Sequence, residues 1–92
     1  MTRIKIRVLV WNEWNIGHIK KHKVTQKEIE IAVLNMVYHS KTDKNRYKAV
    51  GRSKTRILTT ILNRNGIATY FVVTARDSDK KERQKLYDKE RL

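Results

Sequence analysis

The sequence predicts an α+β fold, a mainly antiparallel sheet flanked by helices in the order β-α-α-β-β-β-α. Three observations carry this expectation. A strictly alternating apolar segment opens the chain, two capped stretches with helical periodicity follow, and two β-branched runs joined by a glycine turn lie beyond them.

The opening strand is "RIKIRVLVW". Ile4, Ile6, Val8 and Val10 point to one face, and Arg3, Lys5 and Arg7 to the other, joined by Leu9. "WNEWNIGHIKKH" then turns helical. Asn12 caps the first turn, and Trp11 is placed to pack on Ile16 as a hydrophobic staple. Trp11 and Trp14 read as core residues rather than base-stacking platforms. In "VTQKEIEIAVLNMV", Thr25 and Glu28 form a capping box, with Val24 and Ile29 as its staple. Ile29, Ala32, Val33 and Met36 then share one face.

"YHSKTDKNRYKAVGR" reads as a basic loop leading into a strand, with a turn at "GRSK" around Gly51. "RILTTILN" and "IATYFVVTA" are apolar on both faces, as in central strands. "NRNG" between them predicts a hairpin turn at Asn65-Gly66. The final "DSDKKERQKLYDKERL" is helical by propensity, capped by Asp79 with Glu82 or alternatively by Ser78. Its apolar content is thin: Leu86, Tyr87 and Leu92.

The 92 residues, without proline, fit one small domain spanning 1–92. Lys and Arg number 22 against 9 acids, a net charge of +13. Such an excess destabilises a compact state by self-repulsion and calls for a polyanion, most simply nucleic acid. A membrane partner is disfavoured, because no stretch combines a strong apolar face with a basic one. Cysteine is absent, which excludes disulfides and thiolate chemistry. The N-terminus alternates instead of forming a signal-type apolar block, so a cytoplasmic location is expected. His18, His22 and His39 lack metal-ligand spacing, and no cofactor motif is present, so neither a metal nor a cofactor is expected.

Three basic groups carry chemistry. Lys20, Lys21 and His22, followed by Lys23, end the first helix. They either complement the negative pole of that helix or bind phosphate and move protons. "KTDKNRYKAVGRSKTR" holds seven basic residues and one acid, more than protection of a sheet edge needs. Lys44, Arg46, Lys48, Lys54 and Arg56 join Lys20 and Lys23 as candidate RNA contacts. Arg76 ends the most apolar strand, and Arg83 and Tyr87 share a helix face at i,i+4. These three either clamp a phosphate or serve structure, the arginine pairing with Asp79 or Glu82 and the tyrosine packing in the core.

These motifs line up with a family. "VWNEWNIGHIKKHKVTQKEIE", "YKAVGRSKTRILTTIL" and "TARDSDKKERQKLY" resemble, in order and spacing, the segments of BrnT-type toxins. Those segments are a tryptophan-to-Lys-His opening, a Gly-Arg pair, and an Ala-Arg pair followed by Glu-Arg and a tyrosine. The resemblance covers nearly the whole chain. It implies a RelE-like ribonuclease toxin of a type II toxin–antitoxin system, with RNA as substrate and a cognate antitoxin as partner in a hetero-oligomer. By position it implies catalytic roles for Lys21, His22, Arg52, Arg76, Arg83 and Tyr87. Lys23 stands where the family commonly has glycine, so a left-handed turn is less easy here. RNA cleavage at its own 2′-hydroxyl needs a base, an acid and cations, and no metal if arginine and lysine supply the charge. The alternative is a nucleic-acid-binding module without catalysis, such as a degenerate toxin or a repressor subunit.

Overall fold

The computed structural model describes residues 4–91, so the expectations for Arg3 and Leu92 lie outside the described residues. The elements are β1 (Val8–Val10), α1 (Glu13–Lys20), α2 (Gln26–Leu34), β2 (Met36–Asp43), β3 (Arg46–Ser53), β4 (Arg56–Gly66), β5 (Thr69–Asp77) and α3 (Lys80–Glu90). The sheet order is β1-β5-β4-β3-β2. β1 pairs in parallel with β5, and every other pairing is antiparallel. The α+β class therefore holds, with one strand more than the sequence order predicted.

That extra strand is β2. The helix expected to run through Met36 and Val37 stops at Leu34, and the residues read as a basic loop pair with β3 across a turn at Lys44-Asn45. Asn45 takes a left-handed φ of 58°, which asparagine tolerates better than most residues. Two other turns also shift. Gly51 lies inside β3, and the chain turns at Lys54-Thr55 instead. The β4–β5 turn falls at Ile67-Ala68, not Asn65-Gly66; Ala68 has φ 54°, and Gly66 still pairs with Thr69. Extending the ladder by that pair outweighs the local preference of Asn-Gly.

Gly51 is needed for close approach. A Cβ there would overlap the carbonyl oxygen of Ala32 and stand 3.0 Å from the carbonyl oxygen of Asn35. The backbone of α2 rests directly on β3 at this point. Gly51→Ala is expected to destabilise the fold by about 2–3 kcal/mol, read as a lower denaturation midpoint with unchanged slope.

All three predicted helix starts form with reciprocal capping: Asn12 with Asn15, Thr25 with Glu28, and Asp79 with Glu82. Ser78 is not the cap; it is buried and its hydroxyl meets Thr59 at 2.7 Å. Asn15 is fully buried, and its amide donates to the carbonyls of Val10 (2.9 Å) and Val72 (3.0 Å). It thereby ties α1 to β1 and β5.

Two hydrophobic clusters flank the sheet. Ile19, Ile29, Val33, Leu58, Leu62 and Val72 fill the space beneath α1 and α2. Tyr38, Val50, Ile57 and Leu86 form a smaller cluster beneath α3. Ile4 and Ile6 pack on the larger cluster as expected, but Leu9 and Trp11 join them there while Val8 is 50% exposed. The N–H groups of Arg7 and Val8 both donate to the Ala68 carbonyl (2.8 and 3.1 Å), a bulge-like pairing that advances the side-chain phase by one residue. Trp14 is also not core: it is exposed and stacks on His18 and Phe71, with centroids at 5.1 and 6.0 Å.

Candidate phosphate-binding rim

Alternation along β3, β4 and β5 decides which side chains meet. Ala49, Gly51 and Ser53 face α2, so Val50 and Arg52 face α3. Thr59 pairs with Arg76 in the neighbouring strand, and both point toward α3. Arg56, two residues before Leu58 on β4, and Asp77, the cross-strand partner of Leu58, face the α1–α2 layer.

Under α3 a carboxylate gathers the cations. Glu82 is 5% exposed. Its oxygens accept from both terminal nitrogens of Arg76 (2.7 and 3.0 Å), from the Thr59 hydroxyl (2.9 Å) and from the Asp79 N–H (2.9 Å). Lys48 Nζ stands 3.2 Å away. Burial opposes the charge of Glu82 most strongly, but the Arg76, Asp79, Thr59 and Lys48 bonds together outweigh it and hold the carboxyl at about 2. The same pairing raises Arg76 above the ordinary guanidinium value. About two helix turns along, Glu90 takes a bidentate bond from Arg52 (2.8 and 2.9 Å). The Arg52 guanidinium also lies 5.7 Å from the centre of the Tyr87 ring, within cation–π range. Arg83 donates to the Ser78 carbonyl and makes no ion pair among the described residues.

On the opposite face, Arg56 latches the helical layer to the sheet end. It donates to Glu28 (3.0 and 3.1 Å), to Asp77 (2.7 and 3.1 Å) and to the carbonyl of Lys23 (2.8 Å). Bonds to Asp77 first, then to Glu28, raise its affinity for its proton further. Glu28 is held below the usual carboxylate range by the Thr25 N–H and by Arg56. The α1 end itself closes in a Schellman arrangement. Val24 N–H reaches the Ile19 carbonyl (3.2 Å), Lys23 N–H reaches that of Lys20 (3.0 Å), and Lys23 has φ 57°. The left-handed turn that lysine makes less easy is nevertheless formed here, at Lys23 itself. Lys23→Gly is expected to stabilise the fold by about 0.5–1 kcal/mol by removing Cβ strain, checked by denaturant titration.

The predicted residues thus fall into four places. Arg52, Arg76, Arg83, Tyr87 and Lys48 gather about α3. Lys20, Lys21, His22 and Lys23 sit on the corner between α1 and α2, in the other layer. Among the described residues, no hydrogen bond, ion pair or ring contact joins the Lys21 or His22 side chain to the α3 group. The two layers meet at one end of the sheet, where Arg56 binds both the corner and Asp77, the neighbour of Arg76. Lys54 lies in the turn at that same end. Lys44 and Arg46 belong to the β2–β3 turn at the far end of β3, about 20 Å away at the rise of a strand.

The residue given too small a part by sequence alone is Glu82. Its capping role and its pairing with Arg76 were both legible, but its burial at the centre of a cation cluster was not. Among the described residues, no group of His, Cys, Asp or Glu is arranged to hold a metal, and no helix is long and apolar enough to cross a membrane.

A search of solved structures finds the same arrangement in the crystal structure of the Brucella abortus ribonuclease toxin BrnT. The TM-score is 0.62, and the match covers 85% of this chain and all (100%) of the other. The chain has the BrnT fold. At 21% identity the likeness is one of fold. No protein-family model and no curated protein matches the sequence. In BrnT-fold terms, the motif segments quoted from the sequence supply the α1–α2 corner, the β3–β4 hairpin and the β5–α3 junction, and all three meet at the rim just described.

Proposed function

We propose that the chain is the toxin of a type II toxin–antitoxin pair, a metal-independent endoribonuclease acting in the cytoplasm and neutralised by a cognate antitoxin in a hetero-oligomer. The observation that carries the reading is the gathering of Arg52, Arg76, Arg83 and Tyr87 from two strands and a helix around α3, in a BrnT fold with net charge +13.

The chemistry follows from what RNA brings to the site. A base removes the proton of the 2′-hydroxyl. The 2′-oxygen attacks the adjacent phosphorus, and the bond from phosphorus to the 5′-oxygen breaks as an acid protonates that oxygen. The products are a 2′,3′-cyclic phosphate and a free 5′-hydroxyl. Guanidinium groups stabilise the extra negative charge at phosphorus. Arg83 has most of its donors uncommitted, so it is placed to contact phosphate directly. Arg52 and Arg76 are oriented by Glu90 and Glu82. Tyr87 is 40% exposed beside Arg52 and is the proton-transfer candidate on this face. Lys21 and His22 serve substrate binding from the corner, and with Lys20, Lys23, Lys54 and Arg56 they extend the basic surface along the rim.

The carboxylate pairs of Arg52 and Arg76 also favour a second reading, nucleic-acid binding without cleavage, because a paired guanidinium has less capacity for phosphate. Incubating the purified protein with RNA in excess chelator separates the two. Fragments with cyclic phosphate ends support the ribonuclease. Steeply salt-dependent binding with intact RNA supports the binding module.

A further inference from the structure

A second feature lies on the α2 side of the rim. Between the start of α2 and the β3–β4 turn is a cleft of about 380 Å³, lined by Thr25, Lys27, Glu28, Ile31, Ser53, Lys54, Thr55 and Arg56. That volume falls within the range of small-ligand sites, roughly 300–1,000 Å³. The decisive residue is Ser53. It is 4% exposed, it faces α2 by strand alternation, and its hydroxyl has no hydrogen-bond partner among the described residues. The hydroxyls of Thr60 and Thr74 are also unpaired, but those are sealed from solvent. The Ser53 hydroxyl instead borders an open cleft.

That hydroxyl is reachable from the cleft and is committed to no bond among the described residues, so it is free to donate to or accept from whatever ligand the cleft holds. The charges around it say what that ligand is. Glu28 is already engaged by Arg56 and by the Thr25 N–H. Lys27 and Lys54 make no ion pair among the described residues. The uncommitted charge of the cleft is therefore positive, and the first-turn N–H groups of α2 add to it. Ile31 gives one apolar wall. We infer that this cleft is a nucleotide subsite: Lys27 and Lys54 hold a phosphate of the RNA backbone, the Ser53 hydroxyl bonds the sugar–phosphate, and the flat side of the nucleotide lies toward Ile31. It sits beside the Lys21–His22 corner and across the sheet from α3, so it takes a nucleotide flanking the one cleaved. The inference rests on the RNA reading for the identity of its ligand, but not on catalysis.

The test uses a 2′-O-methyl RNA trinucleotide, which lacks the hydroxyl needed for cleavage, titrated into isotope-labelled full-length protein and followed by amide chemical shifts. Saturable shifts are expected at Lys27, Ser53, Lys54 and Thr55. Ser53→Ala should weaken binding about tenfold, the effect of one lost hydrogen bond to a charged group. The same variant should melt at the wild-type temperature, because the hydroxyl makes no bond among the described residues. Lys27→Gln with Lys54→Asn should also weaken binding at least about tenfold; asparagine is chosen because Lys54 has φ 58°. Inorganic phosphate at equal concentration should shift these amides far less. Shifts confined to the α3 face, wild-type affinity in Ser53→Ala, or equal saturation by phosphate would each overturn the subsite. RNA cleavage by a protein whose cleft stays silent would leave the ribonuclease standing without it, and a responsive cleft with uncleaved RNA would do the reverse.

Discussion

Glu82→Ala is expected to destabilise the fold by about 3–5 kcal/mol, because it leaves Arg76, Lys48 and Thr59 without the group they surround. α3 has little else to hold it. Leu86 is its one fully buried apolar residue, and Tyr87 is 40% exposed. The remaining docking contacts are polar: the Tyr38 hydroxyl donates to the Glu82 carbonyl at 3.2 Å, and Arg52 grips Glu90. The contribution of Glu82 also has a defined pH window. Its folded value of about 2 lies below the ordinary 4.5, so the stabilisation is complete above 4.5 and is lost as pH falls through about 2. Denaturant titrations of wild type and Glu82→Ala should therefore differ most at neutral pH and converge near pH 2. A constant difference across that window would show that the carboxylate charge is not what holds α3.

Arg83→Gln is expected to slow RNA cleavage about 100- to 1,000-fold, the loss that follows removal of one charged donor to a reacting phosphate. This arginine is the informative one to change. Its bond in the folded protein is to the Ser78 carbonyl, so its removal leaves no carboxylate unpaired. Arg76→Ala would instead strip Glu82 of its principal partner and mix unfolding with lost chemistry. The measurement is a single-turnover rate on a defined RNA, with the denaturation midpoint of Arg83→Gln shown to match wild type.

Local signals fixed more of this molecule than long-range ones did. The three helix starts were legible because each cap needs one oxygen-bearing residue and a partner three positions on. The strands β4 and β5 were legible from β-branched runs. β2 was not, because Met36 and Val37 continue the apolar face of α2, and only pairing with β3 decides between helix and strand. The role of Gly51 could not be separated from that of a turn glycine without knowing that the backbone of α2 rests on it. The candidate site divides along the same line. The i,i+4 relation of Arg83 and Tyr87 is local and holds. The division of the basic residues between two faces and two ends of the sheet depends on register, which composition does not carry. The left-handed turn after the Lys-His pair ran against the expectation from lysine, because closing α1 on the Ile19 and Lys20 carbonyls outweighs the Cβ strain.

The proposed function centres RNA cleavage on the α3 face, with the Lys21–His22 corner binding substrate at the same rim from the other layer. Steady-state cleavage in chelator by wild type, Arg83→Gln and a Lys21→Gln/His22→Gln double variant tests this most directly, through the division of effects between kcat and KM. Arg83→Gln is expected to lower kcat, while the corner variant chiefly raises KM. Wild-type kcat in Arg83→Gln, with kcat lost in the corner variant, would contradict it.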